Sequence, residues 1–223
     1  FMVIWCVSCQ FLPRISSIKK NPFIEIQLQF DKQPLQLNTS YSLSKFEEIE
    51  LQTLRFYLSN FAFYQDEIVV WEEPNSHYLI DAADSASLSL LIPTDLIFNT
   101  LRFNIGIDST THEAGVMSGD LDPTKGMYWT WQSGYINFKL EGKLNSTIQN
   151  NKQFKYHLGG YQAPFNTLQT VRLKVNPNRD LTLSIDIATF LKSMDLSKDN
   201  ILMSPSEKAV RFSEQLPFMF RMF

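Results

Sequence analysis

Beyond its ninth residue the chain contains no cysteine; Cys6 and Cys9 are its only two. The body therefore has neither an internal disulfide nor a thiolate metal site. Histidine is nearly as scarce, with His77, His112 and His157 the only three. Charge of one sign is never concentrated: 20 basic and 23 acidic residues give a formal charge of −3 and are spread without blocks. Nucleic-acid binding needs a basic stripe to neutralise phosphates, so that class is excluded. Enzyme signatures are missing as well. There is no Gly-x-Ser-x-Gly elbow, no His-Glu-x-x-His, and Gly159-Gly160 lacks the later glycine and lysine of a phosphate loop. Asp120 and Asp122 could pair for acid–base work, but Gly-Asp-Leu-Asp-Pro reads more simply as a tight turn. The chain is expected not to be an enzyme.

What is present is apolar and aromatic: 44% hydrophobic, 13% aromatic, with 18 phenylalanines mostly in alternating runs. That pattern suits a sheet packed on a second layer. Phe23–Phe30 alternates cleanly, with Ile24, Ile26, Leu28 and Phe30 inward. Leu35 and Leu37 predict a second short strand. From Glu48 to Phe63 the phase slips, which predicts a bulge near Gln52-Thr53 or a turn. Ile68–Trp71, Tyr78–Ile80, Leu88–Ile92 and Leu101–Ile107 follow as strands. Phe154–Leu158 and Leu168–Val175 look like an antiparallel pair joined through Gly159-Gly160, and Leu181–Ile187 closes the series. Helix is expected only late. Asp186 can cap a turn through Thr189–Met194, and Ser204-Pro205-Ser206-Glu207 has capping-box spacing for a helix from Pro205 to about Gln215, stopped by Pro217. The fold class is all-β, an antiparallel sandwich.

The most telling stretch is Gly126-Met-Tyr-Trp-Thr-Trp-Gln-Ser-Gly-Tyr135, running into Ile136, Phe138 and Leu140. A period of two predicts that Trp129 and Trp131 share a face at the start of that strand, with Gly134 permitting a kink or bulge. Before it lies an aperiodic polar insertion, Asp108 to Lys125, that carries His112; insertions of that length are usually functional. His157 sits on a strand ending in Gly-Gly. Loops meet at the ends of a sandwich, so His112 and His157 can approach the tryptophans. Two imidazoles with a soft or aromatic third partner suit monovalent copper, whereas zinc wants a fourth ligand and calcium wants oxygens. The plainer alternatives are two hydrogen-bonding histidines, one core and one edge tryptophan, and a calcium loop formed by Asp108, Asp120 and Asp122.

The motif Met127–Tyr135, the strand ending Asn104–Ile107, the loop Asp120–Pro123, and the segments Leu54–Asn60, Tyr78–Asp81 and Phe154–Gly160 together resemble the MbnP-like copper-binding family, in its Bacteroidetes-type form. The likeness runs from Phe23 to the C-terminus. It implies a β-rich sandwich of the periplasm or outer-membrane surface that holds Cu(I) through histidines and a tryptophan oxidised to kynurenine. The oxidising partner it implies is a dihaem cytochrome c peroxidase-like protein. By motif position, His112 falls where many members have Asn-His, here preceded by Thr111. Trp129 or Trp131 matches the tryptophan, and His157 matches a later histidine; His77 has little support.

Phe1–Cys9 is apolar, too short to span a bilayer, and reads as the tail of a secretory signal. Val7-Ser8-Cys9 resembles a lipobox, which makes Cys9 the expected lipidation site and the membrane a partner through that anchor. Residues 1–22 are expected to be signal remnant, tether and spacer, and 23–223 one sandwich domain. Together these features predict an exported, lipid-anchored copper-binding protein with metal ligands His112, His157, Trp129 and Trp131. The alternative is a metal-free extracytoplasmic interaction or glycan-binding module; a hydrolytic enzyme ranks last.

Overall fold

A computed structural model describes residues 23–45, 47–92, 96–130, 133–146, 151–176, 180–196 and 198–223. The tether assignment, Cys9 and Trp131 lie outside the described residues. In chain order the strands are β1 (Phe23–Phe30), β2 (Gln33–Pro34), β3 (Ser40–Ser44), β4 (Glu47–Gln65), β5 (Ile68–Glu72), β6 (His77–Asp81), β7 (Ser89–Leu91) and β8 (Thr100–Ile105). They continue as β9 (Tyr128–Thr130), β10 (Gly134–Ser146), β11 (Lys152–Gly159), β12 (Gln169–Lys174), β13 (Leu181–Asp186), β14 (Ile201–Leu202) and β15 (Phe220–Met222). Three short helices join them: α1 (Ser109–Ala114), α2 (Ile187–Lys192) and α3 (Glu207–Ser213).

The strands form two facing sheets. The smaller runs β15-β13-β1-β2 with β7 also on β1; the larger runs β12-β8-β4-β10-β11-β14 with β3, β5 and β6 on β4 and β9 on β10. Alternation explains the inner faces: Ile24, Ile26, Leu28 and Phe30 of β1 are buried, as are Leu54, Phe56 and Leu58 of β4. Phe220 of the small sheet meets Phe103 and Phe56 of the large one at ring-centroid distances of 5.3 and 6.3 Å, so the layers interdigitate through aromatic edges.

The expected all-β sandwich is therefore present, although its sheets are mixed: β1 pairs with β13 in parallel, and β11 with β14. Several local expectations change. Phe154–Leu158 and Leu168–Val175 are not partners; β11 pairs with β10, and β12 with β8. A glycine pair allows a sharp turn but does not oblige the next strand to return. Leu35 and Leu37 pack on the core from a loop after the two-residue β2. The phase slip in β4 is a bulge at Gln52, since Glu141 and Gly142 of β10 pair with Thr53 and Leu51. The last helix starts at Glu207 with Ser206 as its cap, because Ser206 rather than Ser204 accepts from the Ala209 N–H. Asp186 caps α2 as expected, through Ala188.

Leu58 and Ser59 of β4 pair with both β6 and β8, while Arg55 and Phe56 pair with both β6 and β10. A strand has only two edges, so β8 and β10 must occupy the same edge of β4, end to end. The long insertion leaves the sheet at the end of β8 and returns at the start of β10. It begins and ends at one seam. Asn137 fastens that seam: fully buried, its Oδ1 accepts from the Ile107 N–H at 2.9 Å and its Nδ2 donates to Thr167 Oγ1 at 2.9 Å.

Candidate metal centre

The insertion is ordered by local chemistry. Asp108 accepts from the Thr111 N–H at 2.9 Å and so caps α1; Gly115, at φ 83°, ends it. Further on, Asp122 caps the turn Pro123–Lys125, which Gly126 closes in the left-handed region. The segment folds over the outer face of β4 and β6 and seals a second apolar cluster of Tyr57, Leu79, Ile107, Leu121, Met127, Tyr135 and Ile136. Trp129 packs against that cluster.

The described part of the tryptophan motif is not one strand. Thr130 of β9 pairs with Gly134 of β10, and Tyr128 with Tyr135, antiparallel, so Trp129 lies on a strand that precedes β10 and not in line with Ile136. Gly134 makes the turn possible. It has φ 70°, and a Cβ there would stand 2.3 Å from His112 Nδ1. Gly159 of β11 gives the Trp129 ring its seat, since a Cβ there would meet Trp129 Cζ3 at 2.8 Å and the Tyr135 carbonyl at 2.7 Å.

His112 projects from α1 into this turn and is buried. Its Nδ1 accepts from the Tyr135 N–H at 3.1 Å; one ring face stacks on Tyr161 at 4.6 Å and 9°. Its Nε2 is buried with no hydrogen-bond partner among the described residues. Burial lowers its pKa to about 4, outweighing the opposing influence of Asn137 and Asp108. The ring is neutral at pH 7.

His157 lies on β11 opposite Lys139. Phe154, Tyr156 and Leu158 belong to the inner core, so the two-residue period turns His157 outward onto the same face as Gly159 and the Trp129 ring. Its Nε2 is 2.6 Å from Glu141 Oε1, and its Nδ1 is buried without a hydrogen-bond partner among the described residues. Burial pushes the His157 pKa down; the Glu141 hydrogen bond opposes this, and the Lys139 and Lys155 charges reinforce it. For Glu141, burial would raise the pKa, but the His157 hydrogen bond and the Lys139 charge hold it below the ordinary carboxylate value. The consistent assignment is a neutral ring donating Nε2–H to an ionised carboxylate, which leaves a lone pair on Nδ1. Trp129 Nε1 is likewise buried and has no hydrogen-bond partner among the described residues.

The structure thus brings Trp129 and His157 to one face of β11, and ties His112 to the same end through Tyr135, whose N–H meets His112 and whose carbonyl lies against Gly159. His77 lies against the start of the same insertion, with Nε2 at 3.3 Å from Thr111 Oγ1 and 3.9 Å from Asp108 Oδ2, and its charge adds to the lowering of the His112 pKa. Among the described residues no three His, Cys, Asp or Glu side chains converge as a metal cluster. Asp108 and Asp122 are occupied as caps, and Asp120 pairs with Lys125 at 2.7 Å, so the calcium-loop alternative has no free carboxylate set. Glu141 escaped sequence reasoning. Its signal was present, however: it falls on the polar phase of β10, and its partner strand carries a histidine.

A two-sheet β-sandwich whose one end gathers buried imidazole and indole nitrogens is the class that fold and site define. The chain belongs to the MbnP family, whose model matches residues 19–204. Among solved structures it is similar to MbnP from Methylosinus trichosporium, at 14% identity and TM-score 0.56, over 84% of this chain and 86% of that chain; at that identity the likeness is one of fold. No curated protein matches the chain.

Proposed function

We propose that this chain is an exported copper-handling protein in which the Trp129–His157 end of the sandwich binds Cu(I). Membership of the MbnP family supports a copper-related role outside the cytoplasm. The observation that carries the reading is the His157–Glu141 pair. A histidine that ligates a metal ordinarily donates its other N–H to a carboxylate, which fixes the tautomer and raises the basicity of the free nitrogen. Here Glu141 does that at 2.6 Å, and the freed Nδ1 is buried with no hydrogen-bond partner among the described residues, on the face of β11 where the Trp129 ring lies over Gly159. A lone imidazole nitrogen near a polarisable ring suits a soft, low-coordinate ion better than zinc, which would need three or four donors.

Trp129 contributes a soft ring face. Its Nε1–H has no lone pair to give, so indole nitrogen is not a ligand as it stands. Oxidation to kynurenine would replace that donor by a ketone and an aniline nitrogen, both able to bind metal. In this reading the chain is the substrate of a dihaem peroxidase-like partner, and is itself no enzyme. Lipidation at Cys9 would tether the copper site at the periplasmic or outer surface.

A competition titration with a Cu(I) chelator tests the metal. Wild type should bind one Cu(I), and His157→Ala should weaken it by about tenfold or more. Equal affinity in the variant would remove His157 from the site. Intact mass after co-expression with a dihaem peroxidase tests the modification; an unshifted mass would leave the indole unmodified.

A further inference from the structure

His112 resists the role that its place in the motif suggests. A neutral imidazole has one N–H and one lone pair. The backbone N–H of Tyr135 can only donate, and it donates to His112 Nδ1 at 3.1 Å. The lone pair of the ring is therefore at Nδ1 and already used, and the proton is at Nε2, a buried nitrogen with no well-formed hydrogen bond among the described residues. Flipping the ring would set a carbon against that N–H. Moving the proton to Nδ1 would set two hydrogens against each other. Neither nitrogen is free to take a metal while the turn holds.

The surroundings give the ring another task. It fills the space above Gly134, where any Cβ would collide with Nδ1, and it is clamped flat against Tyr161. Tyr161 is itself held by its carbonyl, which accepts from Ser109 Oγ of the same α1 at 3.0 Å. Through Tyr135, the imidazole fixes the residue whose carbonyl abuts the seat of Trp129.

We infer that His112 is a positioning residue: its Nδ1 pins the Gly134–Tyr135 turn that presents Trp129, and its Nε2 stays protonated whether or not copper is bound. This refines the copper reading by leaving His157 as the imidazole ligand, with any further donor drawn from Trp129 or its oxidation product.

Two-bond 1H–15N correlation spectra of the full-length 15N-labelled protein test this with and without added Cu(I). Metal-free protein should show His112 as the neutral Nε2–H tautomer, unchanged on loading, while His157 Nδ1 shifts. A His112 carrying its proton on Nδ1, or an Nε2 that moves to a metal-bound position, would overturn the inference. Should wild type take up no Cu(I), the functional reading fails alone, because the metal-free tautomer still decides the role of His112. Variants give a second readout. His112→Asn keeps an acceptor near the Nδ1 position and removes Nε2, so Cu(I) affinity should stay within about twofold, while a loss of about tenfold or more would mark Nε2 as a ligand. His112→Ala should loosen the turn and lower thermal stability relative to His112→Asn; equal stability of the two would deny the pin.

Discussion

Gly159→Ala is the smallest change that attacks the seat of Trp129 without straining the backbone. Gly159 has no positive φ, so alanine is conformationally acceptable there. The added methyl would stand 2.7 Å from the Tyr135 carbonyl and 2.8 Å from Trp129 Cζ3. The carbonyl belongs to the paired start of β10 and cannot retreat far, so the indole must move. Overpacking of this kind costs about 1–3 kcal/mol. Reduced freedom of the unfolded chain returns about 0.4–1 kcal/mol. The net destabilisation is then about 1–2 kcal/mol, which for a domain of this size lowers Tm by roughly 2–8 °C. Thermal unfolding by circular dichroism measures the loss, and a chelator titration measures Cu(I) affinity, which should fall with the displaced ring. A variant as stable as wild type, with the same tryptophan emission and the same affinity, would refute the placement of Trp129 on Gly159.

Three further perturbations follow from the same geometry. Asn137→Ala leaves the buried Ile107 N–H without its acceptor, removes the bond that Thr167 Oγ1 accepts, and opens the seam between β8 and β10; about 2–4 kcal/mol should be lost in denaturant unfolding. Trp129→Phe removes a buried donor that has no acceptor, so metal-free stability should hold or rise by up to about 1 kcal/mol; a large loss would mean that Nε1 has a partner. The third concerns pH. The folded pKa of His112, about 4, lies below the ordinary imidazole value of 6.5, so between those limits the unfolded chain binds a proton that the folded one does not. Stability should be fully present above pH 6.5 and decline as pH falls towards 4, by at most about 3 kcal/mol from this residue. The decline should be shallower in His112→Asn, and parallel curves would contradict a buried neutral imidazole.

The sequence carried the sandwich well because burial imposes period two wherever one face is sealed: β1 and β8 lie where Ile24–Phe30 and Leu101–Ile105 alternate, and β4 alternates on either side of its bulge at Gln52, as Ile49 and Leu51 and then Leu54, Phe56 and Leu58. It carried pairing poorly. Nothing in Phe154–Leu158 distinguishes a partner in β10 from one in β12, because the inward residues would be the same in either case. The parallel contact of β1 with β13 joins residues 157 apart, such as Ile24 and Leu181, and no local pattern encodes it. At the candidate site, the tryptophans, His112 and His157 were singled out by type and scarcity. Their environments were not legible. Whether an imidazole nitrogen is free depends on what faces it, here the Tyr135 N–H for His112 and the Glu141 carboxylate for His157. Gly134 and Gly159 matter because of side chains that lie over them, which spacing alone does not reveal.

Metal analysis of the protein purified from copper-replete cells under anaerobic, chelator-free conditions tests the central claim most directly. Wild type should carry copper close to one per chain and little zinc, and His157→Ala prepared in parallel should carry almost none. Metal-free wild type, or equal copper in the two proteins, would contradict a copper centre built on His157.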